Sequence, residues 1–400
     1  NVQESVLSMF ADLQLFGQSN GGSGWSPQCF CVYWYDNVLR CAVGFTNNDT
    51  SQKILIYNVN TGALLQTANF SNLAHINDIS YDTVTQKLYV APSGGSAGLS
   101  TNFIVALSPD TATVSGTYIL TDGFNPYGIA FKNGIAYVKI SGNRIAVYKT
   151  LFSNPAIFNI QVPSYSGYTG QGCEVVGNYF LMPRVRVLGA TPRNPTAVNI
   201  NVIDVYNLGD MSFKTTIYIP LSDECENCSY YNGQLYTMLA SDNYAWIYKT
   251  QLFNGLDLYG DVQSLASLNN TVLDGTVDYH VYVGANTGFL CDGTQSHPIP
   301  RIDAALKQYK RQYSTLFIDI NSNITEDINI ATNIYRVVFT GYSTDWGSNT
   351  ARAVNSINVL SGNRVEFNYI NVTSTANVAV NVNCCQRCEL SNMTINGTYT

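Results

Sequence analysis

The chain has 400 residues and is acidic, with 20 Lys and Arg against 27 Asp and Glu for a net charge of −7. Only 12% of residues are charged, about half the ~25% usual in soluble domains, and no basic stripe stands out, which excludes nucleic-acid binding through phosphate neutralisation. No apolar run approaches the ~20 residues of a membrane helix, while 46% hydrophobic residues supply cores for two or three domains.

Nothing at Asn1 resembles an initiator Met or a signal peptide, so the chain reads as a processed product or a fragment. Leu7, Phe10, Leu13 and Leu15 approximate a helical stripe, which predicts a short helix over 1–15. The run GQSNGGSGWS that follows has the composition of a flexible linker. Residues 1–25 are therefore expected to be a stem or attachment segment outside any core.

From about residue 26 to 270 one phrase recurs five times. Its first half is a polar opening, a short apolar strand, a tight turn and a second strand with an aromatic: CFCVYWYDNVLRCAV, INDISYDTVTQKLYVA, YGIAFKNGIAYVKI, CEVVGNYFLMP and CSYYNGQLYTML. The turns are Asp36-Asn37, the longer stretch 82–86, Asn133-Gly134, Gly177-Asn178 and Asn232-Gly233, and Asn-Gly between alternating strands is the strongest short hairpin signal. A second hairpin follows each time, as in KILIYNVNTGALLQTANF. Four strands per ~40–50 residues is the signature of a β-propeller blade, and five blades fill the span.

Residues 288–313 break the pattern. A turn at Cys291-Asp292-Gly293-Thr294 leads into helical spacing at Ile299, Ile302, Ala305, Leu306 and Tyr309. Ser296 is the expected N-cap and Pro298 the first-turn proline of a helix over 299–313, which covers an open end of β-structure. The densest basic cluster, Lys307, Lys310 and Arg311, lies within it. Beyond it the period changes again. Residues 364–372 align with 387–395 at an offset of 23, placing Val365 on Cys388, Phe367 on Leu390, Ile370 on Met393 and Val372 on Ile395. That spacing predicts solenoid coils across 271–400, begun by strands at 316–320, 328–330 and 336–340, with an uncapped last coil that further chain or another subunit covers.

Cys225-x-x-Cys228 and Cys385-x-x-Cys388 have zinc-like spacing, but no His stands near them and the chain has only three, so these cysteines are expected to be buried or half-buried free thiols; ten Cys are too few and too scattered for a small disulfide scaffold. Sequons at Asn48, Asn69, Asn227, Asn269, Asn323, Asn371, Asn392 and Asn396 are at chance level in an Asn/Thr-rich chain, and matter only after a secretory route.

HVYVGANTGFLCDGTQSHPIPRIDAALKQY resembles the entry of right-handed β-helices in bacteriophage tail spikes and pectate-lyase-like proteins: a strand at Tyr282-Val283, the turn Asp292-Gly293-Thr294, Pro298 and a helix from Ile299. His75-Ile76-Asn77-Asp78 and Gln171-Gly172-Cys173-Glu174 are similar to blade openings in the five-bladed platform of receptor-binding proteins from phages of Gram-positive bacteria. The resemblance implies an all-β chain, a five-bladed β-propeller followed by a short right-handed parallel β-helix with an N-terminal capping helix. It also implies a phage tail fibre or spike component in the virion tail. Such a component acts at the host surface, binds a cell-surface glycan, contacts other tail proteins and assembles as a homotrimer. The alternatives are a polysaccharide-degrading tail spike and a surface propeller adhesin.

Blade openings start beside the propeller axis, so Gln28, Asn77, Asp78, Asn125, Gln171, Glu174, Glu224 and Glu226 are the candidate axis-lining residues. Oxygen ligands of this kind suit Ca²⁺, but hydrogen bonds to neighbouring blades and to water are the favoured expectation. His75 is the one His near this ring, and a lone His supports a turn more readily than it acts as a base. No Ser-His-Asp or Cys-His order is arguable. Glu366 and Glu389, one coil apart, are the weak catalytic candidates, because two carboxylates ~5–9.5 Å apart are what a glycosidase needs. The 28 Tyr and Trp25, Trp34, Trp246 and Trp346 offer faces for sugar rings.

Overall fold

A computed structural model describes residues 9–47, 50–71, 73–92, 101–141, 143–149, 152, 156, 158–162, 167–189, 198–252, 279–308, 315–331, 334–341, 351–374 and 379–396. The chain divides into two units, residues 1–262 and 263–400.

The first unit is a five-bladed β-propeller. Blade 1 is the antiparallel sheet Ser26–Tyr35, Val38–Asn47, Ser51–Asn58 and Leu64–Phe70. Blade 2 is Asp78–Asp82, Lys87–Ala91, Phe103–Leu107 and Val114–Ile119. Blade 3 is Pro126–Lys132, Ile135–Ile140, Arg144–Tyr148 and Phe158–Gln161. Blade 4 is Glu174–Val176, Tyr179–Leu188, Val198–Asn207 and Phe213–Ile219, with the two-residue strand Thr169–Gly170 beside its second strand. Blade 5 has Glu224–Tyr231, Gln234–Ser241 and Tyr244–Leu252. Its turns follow the sequence: Asp36 and Asn37, Asn133 and Gly134, and Asn232 and Gly233 all have positive φ, the backbone that tight hairpins require. Apolar residues between adjacent blades form the core. Cys31, Ala42 and Ile56 of blade 1 share a cluster with Ile79, Leu88 and Val105 of blade 2.

The fourth strand of blade 5 comes from the other end of the unit. Met9–Asn20 is a strand, not a helix followed by a linker, and it pairs antiparallel with Tyr244–Leu252 from Ala11 to Asn20. Ala11, Leu13 and Leu15 are buried on it, so the segment belongs to the core that a stem would lie outside. Leu13 and Leu15 are two apart, the period of a strand face. Met9 and Phe10 also pair in parallel with Ile217 and Tyr218, linking the outer strands of blades 4 and 5. The expected helical position Leu7 lies outside the described residues.

The second unit is built of parallel sheets. Tyr279–Val283, Leu316–Ile320, Arg336–Gly341, Ser356–Asn368 and Val380–Ser391 stack in that order, and Asp327–Ala331 pairs with the start of Ser356–Asn368. A smaller parallel sheet joins Arg352–Val354, Ile370–Thr373 and Thr394–Asn396. The register reproduces the 23-residue offset, with Val365 opposite Cys388, Phe367 opposite Leu390 and Val372 opposite Ile395. Asn358 donates to Asn329 at 3.2 Å and Asn381 to Asn358 at 2.9 Å, an amide ladder that in-register stacking allows.

The helix is shorter than its sequence pattern. It spans Ile302–Leu306, and Arg301 is its N-cap without a side-chain hydrogen bond. Ser296 and Pro298 fall before it, and Ile299 instead forms an isolated parallel β-bridge with Val283. Tyr309 lies outside the described residues. The Glu326 carboxylate supplies the cap, accepting from the Ile302 amide at 2.9 Å. No helix among the described residues is long and apolar enough to cross a membrane.

Candidate functional site

The inner strands of the five blades meet at the axis, and one carboxylate closes the ring. Asp78 begins the inner strand of blade 2 and is fully buried. Its Oδ1 accepts from the Ile79 amide at 2.8 Å and from Asn227 Nδ2 of blade 5 at 2.6 Å. Its Oδ2 accepts from the amides of Ile129 in blade 3, at 2.9 Å, and Cys173 at the opening of blade 4, at 3.0 Å, and from the Cys173 thiol at 3.5 Å. One side chain thus ties four blades. Burial pushes its pKa up to about 6 against the lowering effect of these donors. Gly172 is required beside it, since a Cβ there would lie 2.6 Å from the Asn227 side chain.

Three inner strands carry a β-bulge at the same place, between Pro27 and Cys29 in blade 1, Pro126 and Gly128 in blade 3, and Cys225 and Asn227 in blade 5. The bulged residues are Gln28, Tyr127 and Glu226, each one step before the residue equivalent to Asp78. A bulge re-aims the extra side chain, which is how strands that otherwise alternate can present a polar group beside the axis. Around this layer, Gln28 Oε1 meets His75 Nε2 at 2.6 Å and Gln171 Nε2 donates to Glu224 Oε1 at 2.8 Å. Lys139 Nζ donates to the carbonyls of Gly170 and Gln171, 2.5 Å each, and burial lowers its pKa to about 8. Glu174 accepts from the Val175 amide at 2.8 Å and across to the Tyr230 amide of blade 5 at 2.9 Å, and burial pushes its pKa up to about 8. Burial also raises the Glu226 carboxyl well above its ordinary value, with the charge of Glu224 adding to the rise.

The sequence-based ring is therefore partly assembled as expected and partly reassigned. Asp78 and Glu174 act as ties between blades rather than as the wall of a channel. Gln28 pairs with His75, and Gln171 with Glu224. The Asn77 amide donates to the Ala91 carbonyl at 3.1 Å, anchoring the opening of blade 2. Asn125 precedes the inner strand of blade 3 and is half-buried. Sequence reading missed Asn227, Cys173, Lys139 and Tyr127. Asn227 was visible only as a sequon, and its burial beside Asp78 removes it as a glycan acceptor in the folded chain. Lys139 sits on a second strand, where alternation gave no reason to expect reach toward the axis. No group of three or more His, Cys, Asp or Glu among the described residues is placed to hold a metal ion. The cysteines described are free thiols, and burial pushes up those of Cys29, Cys41, Cys173 and Cys228.

On the second unit Glu366 and Glu389 are register neighbours, but arginines interleave them. Glu366 pairs with Arg336 at 2.8 Å and Arg364 at 2.5 Å, and Glu389 with Arg387 and with Arg364 at 3.7 Å. The Arg336 hydrogen bond holds the Glu366 carboxyl below its ordinary range, which suits a fixed anion and opposes a proton donor. Of the aromatic faces, Trp246 is buried against Tyr244 and Trp25 lies under Lys53 Nζ at 4.0 Å. Trp34 in blade 1 and Tyr335 in the second unit are 44% and 69% exposed. Trp346 lies outside the described residues.

No family model matches this chain, and no curated protein matches it. Solved structures give weak likenesses. The crystal structure of Chaetomium thermophilum Raptor aligns at TM-score 0.33 and 12% identity over 61% of this chain and 29% of that one. A chain from the crystal structure of the mitotic checkpoint complex aligns at TM-score 0.35 and 11% identity over 62% of this chain and 94% of that one. At these scores neither bears on the fold or the function of this protein.

Proposed function

We propose that this protein binds rather than catalyses: a phage tail fibre or spike component that adsorbs to a host cell-surface glycan. In this reading the second unit is the start of a right-handed β-helix, and the protein works in the virion tail as a homotrimer beside other tail proteins. The observation that carries the binding reading is the state of the carboxylates. Asp78 and Glu174 are committed to ties between blades, and Glu366 and Glu389 to arginines, whereas Trp34 and Tyr335 keep exposed rings of the kind on which sugars stack. A five-bladed propeller followed by in-register parallel strands supports the tail assignment through the order of its parts.

Adsorption to isolated bacterial cell walls tests it. The purified protein is expected to sediment with walls of its host and to leave their glycans at full length, and Trp34→Ala or Tyr335→Ala to weaken sedimentation about tenfold, the effect of losing ~1.4 kcal/mol of stacking. New reducing ends or unsaturated sugars that disappear in Glu366→Gln or Glu389→Gln would establish the depolymerase instead.

A further inference from the structure

We propose that Arg40, in the cleft between blades 1 and 2, anchors an oxyanion subsite that takes a carboxylate or phosphate group of the ligand. Arg40 lies on the second strand of blade 1, close to the turn at Asp36 and Asn37, and is only 8% exposed. A guanidinium carries five N–H donors in a planar fork and stays charged at any working pH, so burying one calls for acceptors. Among the described residues Arg40 has none: its Nε is buried without a hydrogen-bond partner, and no carboxylate forms an ion pair with it. A buried charge left in that state is costly unless something from outside the chain completes it.

The groups around it are committed elsewhere. Directly opposite residues of an antiparallel pair share a face, which sets Arg40 between Tyr33 and Asn58. The Tyr33 hydroxyl donates across the cleft to the Pro109 carbonyl of blade 2 at 2.5 Å. Asn58 Oδ1 accepts from the amides of Asn60 and Thr61 in its own turn, at 2.9 and 3.1 Å. Asp110, on the exposed turn after Pro109, accepts from the Ser108 hydroxyl and forms no ion pair with Arg40 among the described residues. What holds the guanidinium is a ring face: its Cζ is 5.3 Å from the centroid of Tyr35. Stacking of this kind leaves the in-plane N–H donors to an incoming acceptor. Tyr33 stacks on Tyr81 of blade 2 at 4.9 Å, and the half-buried Tyr35 and Tyr81 pack against the same core cluster, so the cleft has aromatic walls from both blades. A ligand that joins an oxyanion to a sugar ring fits both features, with two oxygens on the fork and an apolar sugar face on the rings. Trp34, the exposed ring of the binding reading, is at the same end of the same strand.

The source of the oxyanion, an acidic surface glycan, rests on the binding reading above; the site itself does not. The full chain is titrated at constant ionic strength with sodium phosphate, sodium glucuronate or, as the uncharged control, glucose, while its thermal unfolding is followed. The midpoint is expected to rise with the logarithm of phosphate or glucuronate concentration, as ligation of the folded state requires, and to stay level with glucose. A rise with phosphate alone assigns the site to phosphate, and one with glucuronate alone to carboxylate. Phosphate also stabilises proteins by exclusion from their surface, so the part that depends on Arg40 is the readout. Arg40→Met removes it, and Arg40→Lys, which keeps the charge and loses the fork, weakens it at least about tenfold. Lys214→Met, on the exposed outer strand of blade 4, leaves it intact. If Arg40→Met does not fold, Arg40→Lys decides. A midpoint indifferent to both anions up to about 100 mM, a hundredfold above a millimolar site, overturns the proposal. So does a rise that persists undiminished in Arg40→Lys. Anion binding by a chain that does not sediment with cell walls upholds the site and removes the glycan as its source.

Discussion

Asp78 shows how much of a propeller can rest on one side chain. A ring of blades must be closed, and here the closing contact at the centre is a set of charge-assisted hydrogen bonds from four blades to one carboxylate. Asp78→Asn keeps the shape but turns one acceptor oxygen into a donor facing other donors. It is expected to cost at least about 3 kcal/mol in urea unfolding, because it strands buried N–H groups. A loss under about 0.5 kcal/mol would show that water replaces the lost acceptor.

The acids and the lysine around it also set a pH response. Asp78 and Glu174 have folded pKa values of about 6 and about 8, above their ordinary ones. The folded state then binds their protons more tightly than the unfolded chain, so their contribution to stability is full at acid pH and is lost as pH rises through those values. Lys139 is lowered to about 8, so the unfolded chain binds its proton more tightly, and stability is regained above that pH. The stability of the wild type relative to Glu174→Gln should therefore fall between about pH 5 and about pH 8. Unfolding midpoints of the two proteins across that range check it, and a constant or growing difference would refute the sign.

At the scale of elements, Met9–Asn20 decides whether blade 5 exists as a full sheet. Without it the strand Tyr244–Leu252 becomes an edge, and the faces now covered by Leu13 and Leu15 open to water. Deletion of residues 1–20 is expected to destabilise the first unit by at least about 4 kcal/mol, on ~1.5–3 kcal/mol per buried Leu together with the lost strand pairing. Circular dichroism melts of full-length and shortened protein compare them directly, and identical melts would mean that this strand is only a surface addition.

Across the whole molecule, the two units manage their exposed edges differently. The propeller closes on itself through its first strand. In the second unit the apolar row continues past its cover: Val359 and Phe367 are wholly buried, whereas their register partners Val382 and Leu390 are 42% and 45% exposed. A row like this favours association, and the proposed trimer is one closed way to satisfy it. Light scattering at micromolar concentration should give about three times the 43.9 kDa chain mass, shifting toward the monomer in Val382→Lys with Leu390→Lys. A folded monomer for the unmodified chain would exclude the trimer.

The five-fold phrase, its Asn-Gly turns and the 23-residue offset were legible in the sequence, because they rest on local rules: side-chain alternation, positive φ at tight turns, and the repeat distance of stacked strands. Where the local rules were ambiguous, contacts distant in the chain decided. Met9–Asn20 has apolar residues that suit either a helix or a strand, and it is a strand because Tyr244–Leu252 offers an open edge to pair with. The pattern from Ile299 to Tyr309 is helical by spacing, yet Ile299 is taken by Val283 and, among the described residues, the helix spans Ile302–Leu306, capped by Glu326 from outside the segment. The axis could be read as polar from the blade openings. That Asp78 is its tie followed from partners up to 149 residues away. No local pattern encodes those distances, since they exist only once the ring is closed.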